Sequence, residues 1–495
     1  MMNKHQEIIK KAHEELNKYK KSVSDHEWSL QYHVMPQANW MNDPNGFSMF
    51  NGEYHLFYQH HPYSPKWGPM YWGHVKSKDL VHWEHLPIAL APSEPYDIDG
   101  CFSGSAIEKD EKLYLFYTGN KWTGPDQDKD LKQVQCLAVS DDGIHFEKIV
   151  ENPVIEAAPP GDIHPFHFRD PKVWKEGDYY YCVLGSQTKE RIGQALLYRS
   201  PDLLKWEFVN VMARGTGNMG YMWECPDLFS LAGQDVLVMS PQGVKPEGDL
   251  YHNLHHSVYV LGNLDLQEGK FQFDQFQLLD YGFDFYAPQT TVDHLGRRIL
   301  VGWMAMWESE MPEQEHDWAG AITIPRIMSI EEHCVKCVPA PELETLRFNQ
   351  VSYCNVLMDG SRNFEGVDGD CLELNVLLDM KQASQFGINL RMDTARTEKT
   401  VLTFDCHNQK LTLNRDHSGK GPGGERKAPV ELNKGKLQLT LFLDKSSLEV
   451  FIQNGEKVMT ARIYPGEHSK GIEFFSEGEV ELLKLDKWSL RRSVS

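Results

Sequence analysis

Ser77-Lys-Asp-Leu-Val-His-Trp-Glu84 recurs as Ser140-Asp-Asp-Gly-Ile-His-Phe-Glu147 and again as Ser200-Pro-Asp-Leu-Leu-Lys-Trp-Glu207, with starts 63 and 60 residues apart. A weaker fourth copy lies in Gly262-Asn-Leu-Asp-Leu-Gln-Glu-Gly-Lys-Phe271, where the Asp and a later aromatic survive and the serine does not. Between copies the chain reads as short apolar strands broken by turns: Tyr54–Tyr58, Leu113–Tyr117, Tyr179–Val183 and Val236–Met239. About four short strands in a unit of roughly 60 residues, repeated, is the signature of a β-propeller blade. The expectation is an all-β protein whose five-bladed β-propeller spans residues 33–330.

Inner strands of such blades would begin near Asp43, Ser103, Asp170, Asp227 and Ala287, at spacings of 60, 67, 57 and 60 residues, which makes these positions neighbours around one funnel. Residues 331–348, with Pro339, Pro341 and several charges, read as a linker with a helical turn. Beyond them, Cys371–Leu378, Phe386–Leu390, Leu437–Leu443 and Leu448–Ile452 alternate apolar and polar residues, and Asn454-Gly455 marks a hairpin turn. This predicts a C-terminal antiparallel β-sandwich over 349–495. At the other end, Ile8, Ile9, Ala12, Leu16 and Tyr19 fall at helical spacing, so residues 1–32 read as a helical extension packed on the main body.

At 495 residues the chain exceeds what one core organises. Its 71 acidic against 50 basic residues give a net charge of −21, a field that repels phosphate backbones and anionic lipid, so nucleic acid and membrane partners are not expected. Charges run through the first residues where a signal peptide needs an apolar stretch, and nine cysteines are scattered irregularly; both features point to a cytoplasmic protein with reduced thiols. Cys334-Val-Lys-Cys337 lacks a second pair to complete a zinc site. Nothing in the chain demands a homo-oligomer.

Three carboxylates stand in aromatic-flanked, proline-bounded contexts at blade spacing: Trp40-Met-Asn-Asp43-Pro-Asn-Gly46, Phe168-Arg-Asp170-Pro171 and Trp223-Glu224-Cys-Pro-Asp227. Any one Asp-Pro is most simply a turn. Three at matched positions are not, because gathering carboxylates in a low-dielectric funnel costs free energy that functional sites tolerate. The preceding-proline effect suggests that each acid is held in extended backbone. Glycosidic hydrolysis is the reaction that most needs two carboxyl groups with separated pKa values. His164, His167, His252, His255 and His256 read as loop histidines, and Asp97-x-Asp99-Gly100 lacks the rest of a calcium loop, so no metal and no cofactor are expected.

WMNDPNG, FSGSA (Phe102–Ala106), FRDP and WECPD, in this order, resemble the signature set of glycoside hydrolase family 32, as do Tyr286-Ala-Pro-Gln289, Gly302-Trp-Met-Ala305 and Ser447-Leu-Glu-Val-Phe451. The resemblance covers nearly the whole chain and implies a five-bladed propeller followed by a sandwich. It implies Asp43 as nucleophile, Glu224 as general acid/base and Asp170 as the partner of fructose hydroxyls. It also implies sugar contacts from Trp40, Met41, Asn42, Gln59, Trp67, Phe102, Ser103, Arg169 and Trp307, although any single tryptophan could serve as core packing instead. Glu224, beside Trp223, should have a raised pKa, and Asp43 should stay ionised. The expected reaction is retaining hydrolysis of β-fructofuranosides, with a sucrose 6-phosphate or sucrose substrate favoured over a fructan. A binding propeller without chemistry is the alternative of another kind. Lys66, Lys121 and Arg191 are unranked candidates for holding a phosphate.

Overall fold

The computed structural model describes residues 3–273 and 275–494. Five antiparallel sheets follow one another in the chain, each led by its inner strand. The first blade uses Asn39–Phe50, Glu53–His61, Tyr71–Ser77 and Trp83–His85. The second uses Cys101–Lys109, Lys112–Trp122, Leu131–Ser140 and Glu147–Lys148, and the third Phe168–Glu176, Tyr179–Gln187, Gly193–Ser200 and Glu207–Arg214. The fourth runs through Met222–Leu231, Gln234–Gln242, Val258–Asp265 and Lys270–Phe273, with Gln277–Leu278 beside Val258–Asp265; the fifth comprises Tyr286–Val292, Arg298–Trp303, Arg326–Glu331 and Cys334–Pro339. Each inner strand packs against those of its two neighbours, and the fifth meets the first, so the ring closes. Trp318–Ala319 seals it by pairing parallel with Asn39 and Trp40.

The repeated Ser-x-Asp is the turn between the third and fourth strands of a blade. Asp79 accepts the amides of Val81 and His82, Asp142 those of Ile144 and His145, and Asp202 those of Leu204 and Lys205. Leu80, Gly143 and Leu203, one residue on, all sit at left-handed φ. The degenerate fourth copy makes the same turn, with Asp265 accepting the amides of Gln267 and Glu268. A short acceptor side chain is what such a turn requires, which is why the Asp outlives the rest of the motif.

Each inner strand carries a β-bulge, at Asn42-Asp43, Ser103, Asp170-Pro171, Cys225-Pro226 and Ala287-Pro288. Two sequence expectations are corrected here. The fourth blade's counterpart of Asp43 is Cys225; Asp227 lies two residues further along, buried against Lys172 Nζ at 3.0 Å and accepting the Thr290 amide at 2.8 Å. Nor is the backbone before proline extended throughout, since Asp170, Cys225 and Ala287 have φ of 62°, 46° and 49°. The bulge accounts for this: its extra residue escapes the ladder and turns consecutive side chains toward one face.

The stretch read as a linker is also corrected. Cys334–Pro339 pairs with Arg326–Glu331 as the outer strand of the fifth blade, a 3₁₀ turn follows at Pro341–Leu346, and the next strand begins at Arg347. Pro339 could end a strand without breaking it because an edge position needs no amide donor.

The C-terminal sheets share one long antiparallel pair, Arg347–Arg362 with Gly471–Leu490. The first part of Gly471–Leu490 pairs with Gln385–Met392 and its second part with Cys371–Asp379, so the pair passes through both layers of the sandwich. Leu374, Ile388, Phe404, Leu441, Val450 and Phe474 fill the space between. An N-terminal helix, Lys4–Leu16, is capped by Asn3 and Gln6, and its buried Ala12 and Leu16 join a cluster with Trp28, Met304 and Trp318. His5 and His13 accept the amides of Ala91 and Ile88, which ties the helix to the propeller.

Candidate active site

At the mouth of the funnel lies a cavity of ≈ 420 Å³ lined by Asn42, Asp43, Gln59, Trp67, Phe102, Ser103, Arg169, Asp170, Glu224 and Trp307 among others. Nearly all of the residues singled out from the sequence meet here. The bulges explain how. The last paired residue before the bulge is Phe102, Arg169, Glu224 or Tyr286, with Asn42 itself opening the bulge of the first blade, and the bulge residue that follows is Asp43, Ser103, Asp170, Cys225 or Ala287. Without the bulge, neighbours such as Arg169 and Asp170 would face opposite sides of the strand. Trp40 and Met41 do not line the cavity: Trp40 stacks behind it on Trp307, with ring centroids 5.9 Å apart, and Met41 is core. Trp40 still acts on the site, because its indole N–H donates to Asn42 Oδ1 at 2.7 Å.

Asp43 is buried and well supplied with donors. Ser103 Oγ gives a hydrogen bond to Oδ2 at 2.8 Å, Asn42 Nδ2 one to Oδ1 at 3.1 Å, and the Cys225 thiol approaches Oδ2 at 3.6 Å. Burial, reinforced by the charge of Glu224, nevertheless outweighs these donors and pushes the Asp43 carboxyl up to about 6. Asp170 accepts the Cys225 amide at 3.0 Å, and burial pushes it up to about 7 against the pull of Arg169.

Glu224 behaves otherwise than its apolar neighbour Trp223 suggests. Burial favours its neutral form, but Arg169 donates through Nε and Nη2 to Oε1 at 3.1 and 2.7 Å, Gln242 Nε2 donates to Oε2 at 2.9 Å, and the Tyr286 hydroxyl donates to Oε2 at 2.6 Å. The balance lowers the Glu224 pKa, which corrects the expectation of a raised one. Gly185 makes this possible, since a Cβ there would sit 2.1 Å from the Trp223 carbonyl oxygen and hold the third and fourth blades apart.

Tyr286, Gln242 and Cys225 are not among the residues that the sequence singles out for the site. Tyr286 has a legible signal, since it precedes Ala287-Pro288 as Glu224 precedes Cys225-Pro226. Gln242 has none. The metal-like candidates have other work. Asp97 is buried against Lys148 and Tyr117, and His167 donates to the Asp128 carbonyl while its Nδ1 accepts from Arg169. Among the described residues no group of three or more His, Cys, Asp or Glu side chains is placed to hold a metal ion.

A five-bladed propeller whose funnel gathers three carboxylates and a rim of Trp67, Phe102, Trp122 and Trp307 defines a glycoside hydrolase. The chain belongs to glycosyl hydrolases family 32: the family's N-terminal domain model matches residues 33–341 and its C-terminal model residues 342–489. It is 40% identical to a sucrose-6-phosphate hydrolase of Zymomonas mobilis, over 97% of this chain and 96% of that one. A Bombyx mori GH32 β-fructofuranosidase, solved as a point variant in complex with sucrose, superposes with a TM-score of 0.86 at 36% identity, covering 98% of both chains. The sucrose-6-phosphate hydrolase of Lactobacillus gasseri superposes with a TM-score of 0.87 at 30% identity, covering 97% of both.

Proposed function

We propose that this protein hydrolyses β-fructofuranosides, with sucrose 6-phosphate and sucrose as substrates, through a covalent fructosyl intermediate on Asp43. The observation that carries the reading is the convergence of Asp43, Asp170 and Glu224 from three bulges onto one cavity. The names of its relatives support the choice of sugar.

In the first step an Asp43 oxygen bonds to the anomeric carbon of the fructosyl unit while the bond to the bridging oxygen breaks, and Glu224 gives that oxygen its proton. In the second, Glu224 takes a proton from water, the water oxygen displaces Asp43, and the configuration is retained. The required state carries one proton on Glu224 and none on Asp43. In the free protein that proton resides on the Asp170 or Asp43 side, because Arg169 and Tyr286 hold Glu224 ionised. Sugar hydroxyls donating to Asp170 stabilise it as a carboxylate, and the proton then passes to Glu224. A cytoplasmic setting goes with this reading: all nine cysteines are free, and no helix among the described residues is long and apolar enough to cross a membrane.

Hexose release from sucrose and from sucrose 6-phosphate, with Asp43→Ala as the blank, tests the proposal. Release by the wild type, with Glu224→Gln slower by at least about a hundredfold, supports it. Sugar binding without release by the wild type would leave only a carbohydrate-binding propeller.

A further inference from the structure

Two arginines line the cavity, and they are in different states. Arg169 is committed to Glu224. Arg191 has no carboxylate within ion-pairing distance among the described residues, and its guanidinium lies over the Tyr221 ring, 4.6 Å from the centroid. It sits in the turn joining Tyr179–Gln187 to Gly193–Ser200 of the third blade. That turn is firmly closed: the buried Thr188 accepts the Arg191 amide at its carbonyl and the Ile192 amide at Oγ1, both at 3.0 Å, and donates its own amide to Ile192 O at 2.8 Å. Arg191 occupies it at φ 65°, a conformation that glycine would adopt at less cost.

We propose that Arg191, laid flat on Tyr221, recognises a phosphomonoester on the leaving sugar and so gives the cavity its preference for a phosphorylated β-fructofuranoside. The inference rests on the hydrolase reading above. Position supports it. Asp43, Ser103 and Phe102 form the wall where the fructosyl unit would be attacked, on the first and second blades. Tyr221 stands three residues before Glu224, on the wall that receives the leaving oxygen, and Arg191 covers it. A leaving sugar whose bridging oxygen meets Glu224 therefore extends toward Arg191.

Chemistry supports it as well. Stacking occupies a guanidinium's face and leaves its in-plane N–H groups free, the fork that matches a phosphate dianion with two charge-assisted hydrogen bonds. The exposed Glu308, beside Trp307, also lines the rim and disfavours a dianion there, while Asp128 acts on the same Tyr221 and His164 as Arg191, so a dianion at Arg191 is held by the guanidinium's fork against that negative charge. The other cations considered, Lys66 and Lys121, lie outside the lining, whereas Arg191, equally exposed, is part of it.

The experiment is steady-state kinetics on sucrose 6-phosphate and sucrose for the wild type, Arg191→Ala and Arg191→Lys. The ratio of kcat/KM for the two sugars should fall by about 10- to 100-fold in Arg191→Ala, the loss expected for one or two charge-assisted hydrogen bonds. The change should appear in KM for the phosphorylated sugar, because the contact is made equally before and during bond breaking. Arg191→Lys, which keeps the charge and loses the fork, should recover part of the ratio, and glucose 6-phosphate should lose potency as an inhibitor relative to glucose in Arg191→Ala. An unchanged ratio, whether both sugars suffer equally or neither does, overturns the assignment while leaving the hydrolase reading intact. Absence of turnover on either sugar by the wild type removes both.

Discussion

Asp43 and Asp170 are buried carboxyls whose ionisation costs the fold stability. Lifting a carboxyl from its ordinary range to about 6, as burial and Glu224 do to Asp43, corresponds to about 3 kcal/mol once the group is ionised. The folded state holds that proton more tightly than the unfolded chain does. Stability contributed by the protonated form is therefore complete below the ordinary carboxylate range and is lost as pH rises through about 6. Asp43→Asn should accordingly raise Tm by a few degrees near pH 8, with the gain over wild type closing toward pH 4. A variant melting below wild type at the higher pH would show that the donors on Asp43 outweigh its burial. The same two carboxyls shape the rate. In the mechanism proposed above, the reactive state carries one proton shared among Asp43, Asp170 and Glu224. A second proton, added below about 6, neutralises the nucleophile, and loss of the last, above about 7, leaves none for the leaving oxygen. The profile of kcat/KM should be a bell with limbs near these values; a plateau running well above pH 8 would mean that the proton on Glu224 is held independently of the other two acids.

At the scale of the element, the unit that matters is the bulged inner strand, and here sequence reading succeeds and fails for one reason. Local grammar is legible: the Ser-x-Asp turns satisfy backbone amides within three residues, so they leave a repeat in the chain. The frame inside the funnel is less so. Spacing alone selects Asp227 where the bulge presents Cys225, because Asp227 completes a motif by eye while the bulge is defined only by pairing with the next strand. The Arg169–Glu224 contact joins two blades and has no local signature, so the sign of the Glu224 shift is not readable from Trp223 beside it. Pro339 and Pro341 read as the end of the propeller because edge strands tolerate what central strands do not. The turn aspartates allow a clean separation of scaffold from site. Asp202→Ala removes the acceptor of the Leu204 and Lys205 amides at 2.9 Å and a partner of Ser200. It should cost about 1 kcal/mol in urea unfolding with kcat/KM unaltered, since Asp202 lies outside the cavity lining. A comparable loss of kcat/KM would mean that the outer turns control the position of the inner strands.

For the whole molecule, the question is what the sandwich does, given that every residue lining the cavity comes from residues 42–308. Its contact with the propeller combines a buried ionic network with an apolar cluster that joins Leu279, Phe285 and Val335 to Phe442, Phe451 and Val458. Arg326, fully buried at the start of the fifth blade's third strand, donates to Asp280 at 3.0 Å, and to Glu449 and Thr460 of the sandwich at 2.6 Å each. Glu449 also accepts the Ile324 amide and meets His33, whose other ring nitrogen meets Asp444. Burial opposes a charged His33 ring, but the two carboxylates outweigh it and raise its pKa, and Arg326 supplies the network's permanent positive charge. Taking one cation out of such a cluster strands its partners without water, and Arg326→Met should cost about 3–5 kcal/mol in urea unfolding. Glu449→Gln removes part of the same imbalance, so the double variant should be less destabilised than the sum of the two single ones. Additivity would mean that the two residues stabilise their own domains separately and that the sandwich is merely adjacent. The kcat/KM of folded Arg326→Met should match wild type, because the network touches no group in the funnel. A bracing domain is then enough to explain the sandwich: it holds the strands 447–452 and 326–331 face to face, and keeps the first and fifth blades from opening at the seam where Trp318–Ala319 closes the ring.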